Sequence, residues 1–299
     1  MKLSTAIQLV IVTSGFAAIL TPAKAAEQAG PLRVVSHNLW NGFQEKPKPR
    51  REQWLAWMAV QRPDVAALQE LNGYTPEKLA DDAKTWGHPY SVLLKEDGFP
   101  TALTSRTPIS KVKRIREGMH HGLLRGKIRG VYFYVVHFHP SHYERRIEEA
   151  RHLIADIGLL IERDPRIVLI GDFNGFSPDD KVHYESDPEL EPFFAMLDKQ
   201  YPGSKNLNAG RLDYGGIVEI LSAGFVDLVA RLRPPAAPFV GTFPTELRRP
   251  ENLGTDRRID YVFAGPALAE SVKSAAIVRD KTTAMLSDHY PLVVDLDLP

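Results

Sequence analysis

Short apolar runs alternate along this chain with segments in which apolar residues recur every three or four positions. The runs are typical of buried β-strands, and the recurring pattern is typical of amphipathic helices. The runs predict strands at Leu32–Ser36, Val65–Leu68, Tyr90–Leu94, Thr101–Thr104, Ile109–Ile115, Val131–His139, Ile167–Ile170, Ile259–Phe263 and Leu292–Leu296. The recurring pattern predicts helices over residues 52–61 and 74–86, from Ser141 to Ile161, and around Ile217–Leu221. Strands that alternate with helices in this way favour an α/β domain.

The connecting segments carry their own local signals. Ser141 and Glu144 have the spacing of a capping box at the start of the third predicted helix. Residues 178–200 are acidic and contain proline, so they predict a short helix and an insertion loop. Residues 231–255 are rich in proline and predict a long loop. No internal repeat or low-complexity linker divides the chain, which indicates one domain.

The N-terminal segment has the pattern of a processing signal. Lys2 precedes a mostly apolar stretch over residues 6–20, and Ala23-Lys24-Ala25 has the small-x-small form of a cleavage site. Residues 1–25 are therefore predicted to be a secretory signal peptide, with residues 26–299 as the mature domain. An uncleaved N-terminal anchor is the alternative. No later stretch reaches the roughly 18 apolar residues of a membrane-spanning helix, so we expect a secreted or periplasmic monomer without a transmembrane segment.

Composition narrows the chemistry. The chain has 299 residues, no cysteine, 37 basic and 37 acidic side chains, and a formal net charge of zero. Without cysteine there is no disulfide framework, no thiolate metal site and no cysteine nucleophile. A metal would have to be held by carboxylate, amide or imidazole groups. The balanced charge lacks the basic excess that is usual in proteins that bind a nucleic-acid backbone.

Polar side chains cluster where the predicted strands end. Ligands bind at the carboxyl ends of strands in α/β sheets, so these side chains are expected to form one site. Asp288 and His289 precede the last strand and join the others only if that strand is antiparallel, which predicts a mixed sheet. Taken singly, each residue has an ordinary structural explanation, such as a helix cap or an Asx turn. The strand-end residues are His37, Asn38, Gln69, Glu70, His137, His139, Asp172, Asn174, Asp260, Asp288 and His289.

Several of these residues fall in blocks that resemble the endonuclease/exonuclease/phosphatase superfamily of DNase I-like metal-dependent phosphoesterases. The blocks occur in the order of the superfamily and extend over residues 36–291. They are Ser36–Gly42, Leu68–Glu70, Val136–His137, Gly171–Asn174, Arg258–Tyr261 and Ser287–Pro291. The resemblance implies a four-layer α/β sandwich, in which two packed mixed β-sheets are flanked by helices.

The resemblance also implies a metal site. Glu70 would be the main carboxylate ligand of Mg²⁺, with Asn38 assisting directly or through water and Asp288 as a further ligand. Mg²⁺ keeps most of its waters and takes one or two protein oxygens together with phosphate, which agrees with this set. Mn²⁺ and Ca²⁺ prefer similar oxygen donors and stay open as alternatives.

The catalytic roles implied by the resemblance fall on five residues. Asp172 would orient or deprotonate the attacking water, and Asn174 would hold Asp172 or a phosphate oxygen. His289 would face the scissile phosphate as a cation, with Asp260 on its other ring nitrogen. His137 matches the second phosphate-facing histidine of the superfamily.

Further residues near these motifs are candidates for substrate contact. His139 and Asn41 are predicted to touch the substrate, and one of His120 and His121 is a weaker candidate. Arg145 or Arg146 has the spacing of an arginine that often follows the histidine of the superfamily, and we interpret it as structural. The charged block Asp256-Arg257-Arg258 is a candidate for the edge of the cleft.

The substrate class is less constrained than the reaction. A nuclease is the leading hypothesis, with nucleic acid as the partner. The alternatives are a lipid or small-molecule phosphodiesterase or phosphatase, similar to sphingomyelinases or inositol-phosphate phosphatases. A non-catalytic phosphate-binding or interaction protein is the alternative from another class, and the complete set of catalytic motifs argues against it.

Overall fold

Two β-sheets pack face to face at the centre of the computed structural model, which describes residues 29–45, 50–160, 166–248, 251 and 253–298. The predicted signal peptide lies outside these residues. The strands are β1 (Gly30–Asn38), β2 (Val65–Gln69), β3 (Tyr90–Leu93), β4 (Ala102–Ser105), β5 (Ser110–Ile115), β6 (Leu123–Ile128), β7 (Val131–His137), β8 (Ile167–Asp172), β9 (Leu207–Asn208), β10 (Arg211–Leu212), β11 (Val226–Asp227), β12 (Asp260–Ala264), β13 (Val272–Ile277) and β14 (Leu292–Leu298).

Helices connect and cover these strands. The α-helices are α1 (Arg50–Gln61), α2 (Pro76–Thr85), α3 (Tyr143–Gly158), α4 (Lys181–Ser186), α5 (Leu190–Gln200), α6 (Gly215–Ser222), α7 (Leu228–Leu232) and α8 (Pro266–Ala269). Short 3-10 helices occur at Asn41–Phe43, Pro178–Asp180 and Thr283–Met285. Across the described ranges, no helix is both long enough and apolar enough to cross a bilayer.

Both large sheets have six strands and mixed directions. The first sheet has the order β13-β14-β1-β2-β4-β3, and the second has the order β11-β12-β8-β7-β6-β5. β1 and β2 are parallel, as are β7 and β8, whereas the other neighbours in both sheets are antiparallel. The short strands β9 and β10 form a separate hairpin. The last strand, β14, runs antiparallel to β1, which confirms the mixed sheet that the position of His289 required.

Three apolar clusters separate the four layers. The central cluster joins inward-facing side chains of both sheets, such as Val34 and Phe133. A second cluster packs α1 and α2 on the outer face of the first sheet, with Trp54 and Leu79 fully buried. A third packs α3 and α6 on the outer face of the second sheet. Buried apolar surface of this extent is the main favourable term in folding, and the predicted four-layer α/β sandwich is confirmed.

Some local predictions are wrong. Strand β7 ends at His137 rather than His139, because the chain turns away from β8 after the pairing of His137 with Asp172. The capping box is absent, since His142 is the N-cap residue of α3 and the carboxylate of Glu144 instead accepts hydrogen bonds from Lys205 and Tyr143. Residues 178–200 are largely helical, because Leu190 and Phe194 pack into a small apolar cluster of their own. The apolar pattern also misses β6 and β13.

Candidate active site

Polar side chains from both sheets meet at one end of the sandwich. In the second sheet, Asp172 at the end of β8 pairs with His137 on β7 and with Asp260 on β12. Directly opposed residues on neighbouring strands project on the same face, so these three form a row. Asn38 ends β1 in the first sheet, and His289 lies just before β14, the antiparallel neighbour of β1. The predicted convergence of strand ends is therefore present.

A glycine allows β8 to approach β7 closely. Gly171 has a φ of +134°, and a Cβ placed there would lie 2.2 Å from the carbonyl oxygen of Val136. Any other residue would push the two strands apart at this point. Gly171 therefore fixes the position of the adjacent Asp172.

Asn38 links the carboxylates of the two sheets. Its Nδ2 donates to Oε1 of Glu70 and to Oδ2 of Asp172, both at 3.1 Å, while its Oδ1 accepts the backbone N–H of Trp40. The other carboxylate oxygen of Glu70 accepts the backbone N–H of Asn41 at 2.8 Å. Glu70 itself has a left-handed backbone with a φ of 56°, a strained conformation that often marks functional positions.

Negative charge accumulates in this group. Burial and the charge of Asp288 raise the pKa of Glu70. Burial and then the charge of Asp260 raise the pKa of Asp172 to about 8, although the charge of His289 and the N–H of Asn174 act in the opposite direction. Buried carboxylates that repel one another favour a bound cation or a shared proton.

His289 is held as a cation. Its Nδ1 donates to Oδ2 of Asp260 at 2.8 Å, and its Nε2 lies 3.9 Å from Oδ2 of Asp172 and 3.9 Å from Oδ1 of Asp288. Burial alone would lower the pKa of His289, but the charge of Asp260 and this hydrogen bond raise it to about 10. The Thr242 hydroxyl accepts the backbone N–H of Asp260 at 3.2 Å and so fixes the start of β12.

His37 positions the loop that carries His289. The Nε2–H of His37 donates to the carbonyl of His289 at 2.9 Å, and its Nδ1 accepts the indole N–H of Trp54 at 3.0 Å. Burial lowers the pKa of His37 to about 4, so the ring is neutral. This strand-end histidine thus acts through another residue.

His137 faces the same carboxylates in a different state. Its Nε2 lies 3.6 Å from Oδ2 of Asp172 and 3.9 Å from Oε1 of Glu70. Its ring stacks on that of His121 with the centroids 4.1 Å apart, and its buried Nδ1 has no hydrogen-bond partner within the described part of the chain. Burial and the neighbouring His121 hold the pKa of His137 well below its ordinary value, so the ring is neutral.

Asn174 braces Asp172 from the loop after β8. Its backbone N–H donates to Oδ1 of Asp172 at 2.9 Å, and its side-chain amide donates to the carbonyl of Phe138 at 3.1 Å. Asn174 has a φ of 47°, so it shares a left-handed backbone with two other predicted site residues, Asn41 and Glu70.

The central group of the site consists of Asn38, Glu70, His137, Asp172, Asp260 and His289. Three other predicted residues differ from this group in their surroundings. The Asn41 side chain bonds to Glu45 and Asn72, and only its backbone N–H reaches Glu70. The His139 ring packs against His120 at 4.1 Å and lines a neighbouring pocket, not the cleft that holds His289. Asp288 lines that cleft and accepts a hydrogen bond from Arg248 at 3.0 Å.

A cleft of about 300 Å³ opens above the carboxylates. Its lining includes two arginines, Arg146 and Arg257, and the aromatic rings of Phe176, Phe194, Tyr201 and Phe243. The sequence pattern gave none of them a role in catalysis. The available signals were the spacing of Arg146 after His137 and the charged block at residues 256–258. Neither indicates which way an arginine side chain points.

The donor atoms suit a hard divalent cation. Ligand atoms of Asp172, Asp260 and His289 lie within 4.8 Å of one another, the one such group of three found among the described residues. Because the imidazole of His289 is protonated, carboxylate oxygens are the better donors here. Glu70 and Asp288 supply further carboxylates to the lining of the same cleft. Carboxylate oxygens are the ligands that Mg²⁺, Mn²⁺ and Ca²⁺ prefer.

Several solved structures have the same fold. An AP endonuclease from Archaeoglobus fulgidus has a TM-score of 0.65 and 19% identity, with 89% of this chain and 100% of that chain covered. A 3′ phosphatase from Neisseria, solved with a product DNA hairpin, has a TM-score of 0.62 and 19% identity over 89% of this chain and 99% of that chain. An endonuclease/exonuclease/phosphatase from Beutenbergia cavernae has a TM-score of 0.58 and 22% identity, with coverages of 90% and 72%.

The sequence comparisons give the family. No curated protein matched the sequence. Residues 35–289 match the model of the Endonuclease/Exonuclease/phosphatase family, a range that contains every residue of the central group. Members of that family are hydrolytic phosphoesterases that depend on a divalent metal. This chain belongs to the Endonuclease/Exonuclease/phosphatase family.

Proposed function

We propose that this protein hydrolyses phosphodiester bonds of nucleic acid with Mg²⁺ as its cofactor, and that it acts outside the cytoplasm after removal of residues 1–25. One observation carries the proposal. Asp172, whose carboxyl pKa is raised, and the protonated ring of His289 face the same space, with 3.9 Å between Oδ2 and Nε2. A base and a fixed cation on one side of a phosphate are what hydrolysis by water requires.

The metal would be held mainly by Glu70, with Asp288 as the second carboxylate. A bound Mg²⁺ would neutralise phosphate charge and polarise the phosphate oxygens. In the arrangement observed, Asn38 turns its amide nitrogen toward Glu70 and Asp172, so its role is to fix both carboxylates.

The protein side chains divide the remaining work. Asp172 is placed to accept a proton from the attacking water. Burial and Asp260 raise its carboxyl pKa to about 8, and a cation bound in the cleft would lower that pKa and keep the carboxylate ionised at neutral pH. The hydrogen bonds from Asn38 and Asn174 hold its two oxygens in place. His289 stabilises the charge that develops on the phosphate, and Asp260 keeps the ring protonated and correctly oriented.

A small or lipid-derived phosphodiester is the second candidate substrate. The near-neutral composition favours it, because it offers no overall basic excess to attract a long polyanion. The two candidates share the same central group and the same metal, so they differ only in what occupies the rest of the cleft.

Plasmid nicking separates the two candidates. The purified protein would be incubated with supercoiled plasmid and, in parallel, with bis-p-nitrophenyl phosphate, in Mg²⁺, Mn²⁺ or Ca²⁺ and in EDTA. Glu70→Gln and His289→Asn are the active-site variants. Glu270→Gln is the matched control, because Glu270 is exposed and forms an ion pair with Arg231.

We expect metal-dependent cleavage of both substrates, lost in the two active-site variants and retained in Glu270→Gln. Turnover of the small diester with intact plasmid would favour the second candidate. If neither substrate is cleaved in any metal, the proposed phosphodiesterase activity is wrong.

A further inference from the structure

Two guanidinium groups lie buried in the wall of the cleft. Arg146 on α3 is 3% exposed, and Arg257 before β12 is 8% exposed. Arg146 donates to the carbonyls of His139 and Pro140, and Arg257 donates to the carbonyls of Leu253 and Thr255. Neither forms an ion pair with a carboxylate in the part of the chain that the structure describes.

Such an arrangement is unfavourable without a partner of opposite charge. Transfer of a charge from water into a protein costs several kcal/mol unless the charge is paired. Burial lowers the pKa of Arg146 and of Arg257 to about 10, so both remain protonated at neutral pH. Arg258, which is also fully buried, shows the usual solution, because it pairs with Asp180 and Asp227.

The two arginines lie near the residues that are proposed to act on the scissile phosphate, but they do not belong to that set. The Arg257 guanidinium lies over the ring of Phe243 at 4.5 Å, and that ring packs edge-on against His289 with the centroids 5.0 Å apart. Neither arginine forms a hydrogen bond with Glu70, Asp172 or His289. A phosphate held by the arginines would therefore be a neighbour of the phosphate that is hydrolysed.

The surroundings of Arg257 keep its guanidinium in one orientation. The ring of Phe194 on α5 lies under the guanidinium at 5.4 Å. The backbone of Arg257 pairs with that of Phe243. Stacking occupies the faces of the guanidinium and leaves its edge for hydrogen bonds. The Nη1 N–H groups bond to the carbonyls of Leu253 and Thr255, and the other N–H groups of the edge are the candidates for contact with phosphate. Because α5 belongs to the segment 178–200, this insertion helps to build the anion site.

We propose that Arg146 and Arg257 bind a second, unhydrolysed phosphate group of the substrate. The inference rests on the proposed phosphodiesterase function and names its substrate class, an ester that carries a phosphate next to the scissile one. A nucleic-acid strand or oligonucleotide meets this requirement, and an isolated diester does not.

Three thymidine dinucleotides test the inference. TpT has only the scissile phosphate, whereas pTpT and TpTp each add one phosphate, at the 5′ or the 3′ end. We expect wild-type protein with Mg²⁺ to hydrolyse one of the two phosphorylated forms at least about tenfold more efficiently than TpT, the gain of a charge-assisted contact. Arg146→Gln and Arg257→Gln are expected to lose this preference. Arg151→Gln is the control, since Arg151 is exposed on the same helix and pairs with Glu219.

A wild-type enzyme that cleaves all three dinucleotides equally well would overturn the inference and leave the nuclease intact. Retention of the preference in both arginine variants would also overturn it. Because the wild-type comparison needs no variant, it stands even where a substituted protein fails to fold.

A binding measurement separates failure of this inference from failure of the proposed function. If none of the dinucleotides is cleaved, the nuclease proposal fails. Calorimetric binding of thymidine 5′-monophosphate in EDTA then tests the anion site by itself. Binding that weakens by about tenfold or more in Arg257→Gln and is unchanged in Arg151→Gln supports the anion site. Equal binding by both variants, or no binding by wild type, contradicts it.

Discussion

Two sides of the cleft hold the same residue type in opposite charge states. On one side, burial would lower the pKa of His289, but the charge and hydrogen bond of Asp260, helped by the charges of Asp288 and Asp172, raise it to about 10. On the other side, His137 stacks on His121, leaves its Nδ1 without a partner among the described residues, and has a pKa well below the ordinary value. Both rings lie within 4 Å of the same Asp172 oxygen.

The difference shows that proximity to a carboxylate does not decide the charge of a histidine. His289 has a hydrogen-bonded carboxylate partner at 2.8 Å. This bond compensates for the cost of burying a charged ring away from water. His137 is equally buried and has no such hydrogen bond, so burial lowers its pKa, and the imidazoles of His121 and His289 repel added positive charge. We therefore propose that His289 stabilises the charge of the transition state and that neutral His137 forms a hydrogen bond with the phosphate.

The largest effect is expected from removal of the cation. His289→Ala should lower kcat by about 10³-fold, because the charge on the phosphate is then unopposed on that side. KM for bis-p-nitrophenyl phosphate should change little. Steady-state kinetics at saturating Mg²⁺ measure both constants, and a kcat within tenfold of wild type would contradict the assigned role.

Removal of the charge that sustains His289 should have the next largest effect. Asp260→Asn lowers the pKa of His289, so the ring loses its proton as pH rises through a range where wild type keeps it. We expect kcat to fall about 10²-fold near pH 8, with partial recovery at lower pH. A pH–rate profile parallel to that of wild type would show that Asp260 does not act through the charge of His289.

Substitution of the neutral histidine, His137, should lower activity less than the two changes above. His137→Asn keeps an uncharged hydrogen-bonding group, so we expect a loss of about tenfold in kcat/KM, typical of one weakened phosphate contact. Because no charge is removed, the alkaline limb of the pH–rate profile should stay where it is in wild type. A shifted limb in this variant would mean that His137 carries charge in the working enzyme.

A histidine away from the cleft extends the comparison to stability. His88 is neutral because burial lowers its pKa from 6.5 to about 4, and its two ring nitrogens bond to Thr104 and to the carbonyl of Pro63. The unfolded chain takes up this proton first, so the stabilisation is complete above pH 6.5 and decreases as pH falls toward 4. We expect His88→Gln to remove about 2–3 kcal/mol of this pH dependence, measured by urea unfolding.

The hydrophobic periodicity of the chain and the motifs at its strand ends predicted which residues meet in the site. Asn38, Glu70, Asp172, Asp260 and His289 all meet as expected, because their positions follow from strand ends and from the antiparallel β14. The four-layer arrangement likewise followed from the family resemblance.

The charge states could not be predicted from the sequence, because they depend on contacts between distant segments. His121 lies in a bend between β5 and β6, and only the tertiary fold stacks it on His137. The direction in which Arg146 and Arg257 point is likewise set by packing of α3 and α5. Local periodicity also misassigned the end of β7 and the N-terminus of α3, where tertiary contacts decide.

The most direct test of this division is the protonation state of the two histidines in solution. Ring ¹⁵N chemical shifts, assigned with His137→Asn and His289→Asn, would be followed against pH in EDTA. The account predicts that His289 remains an imidazolium through neutral pH and that His137 is still neutral at pH 6.5, where an ordinary histidine is half protonated. A neutral His289 or a protonated His137 at pH 6.5 would contradict it.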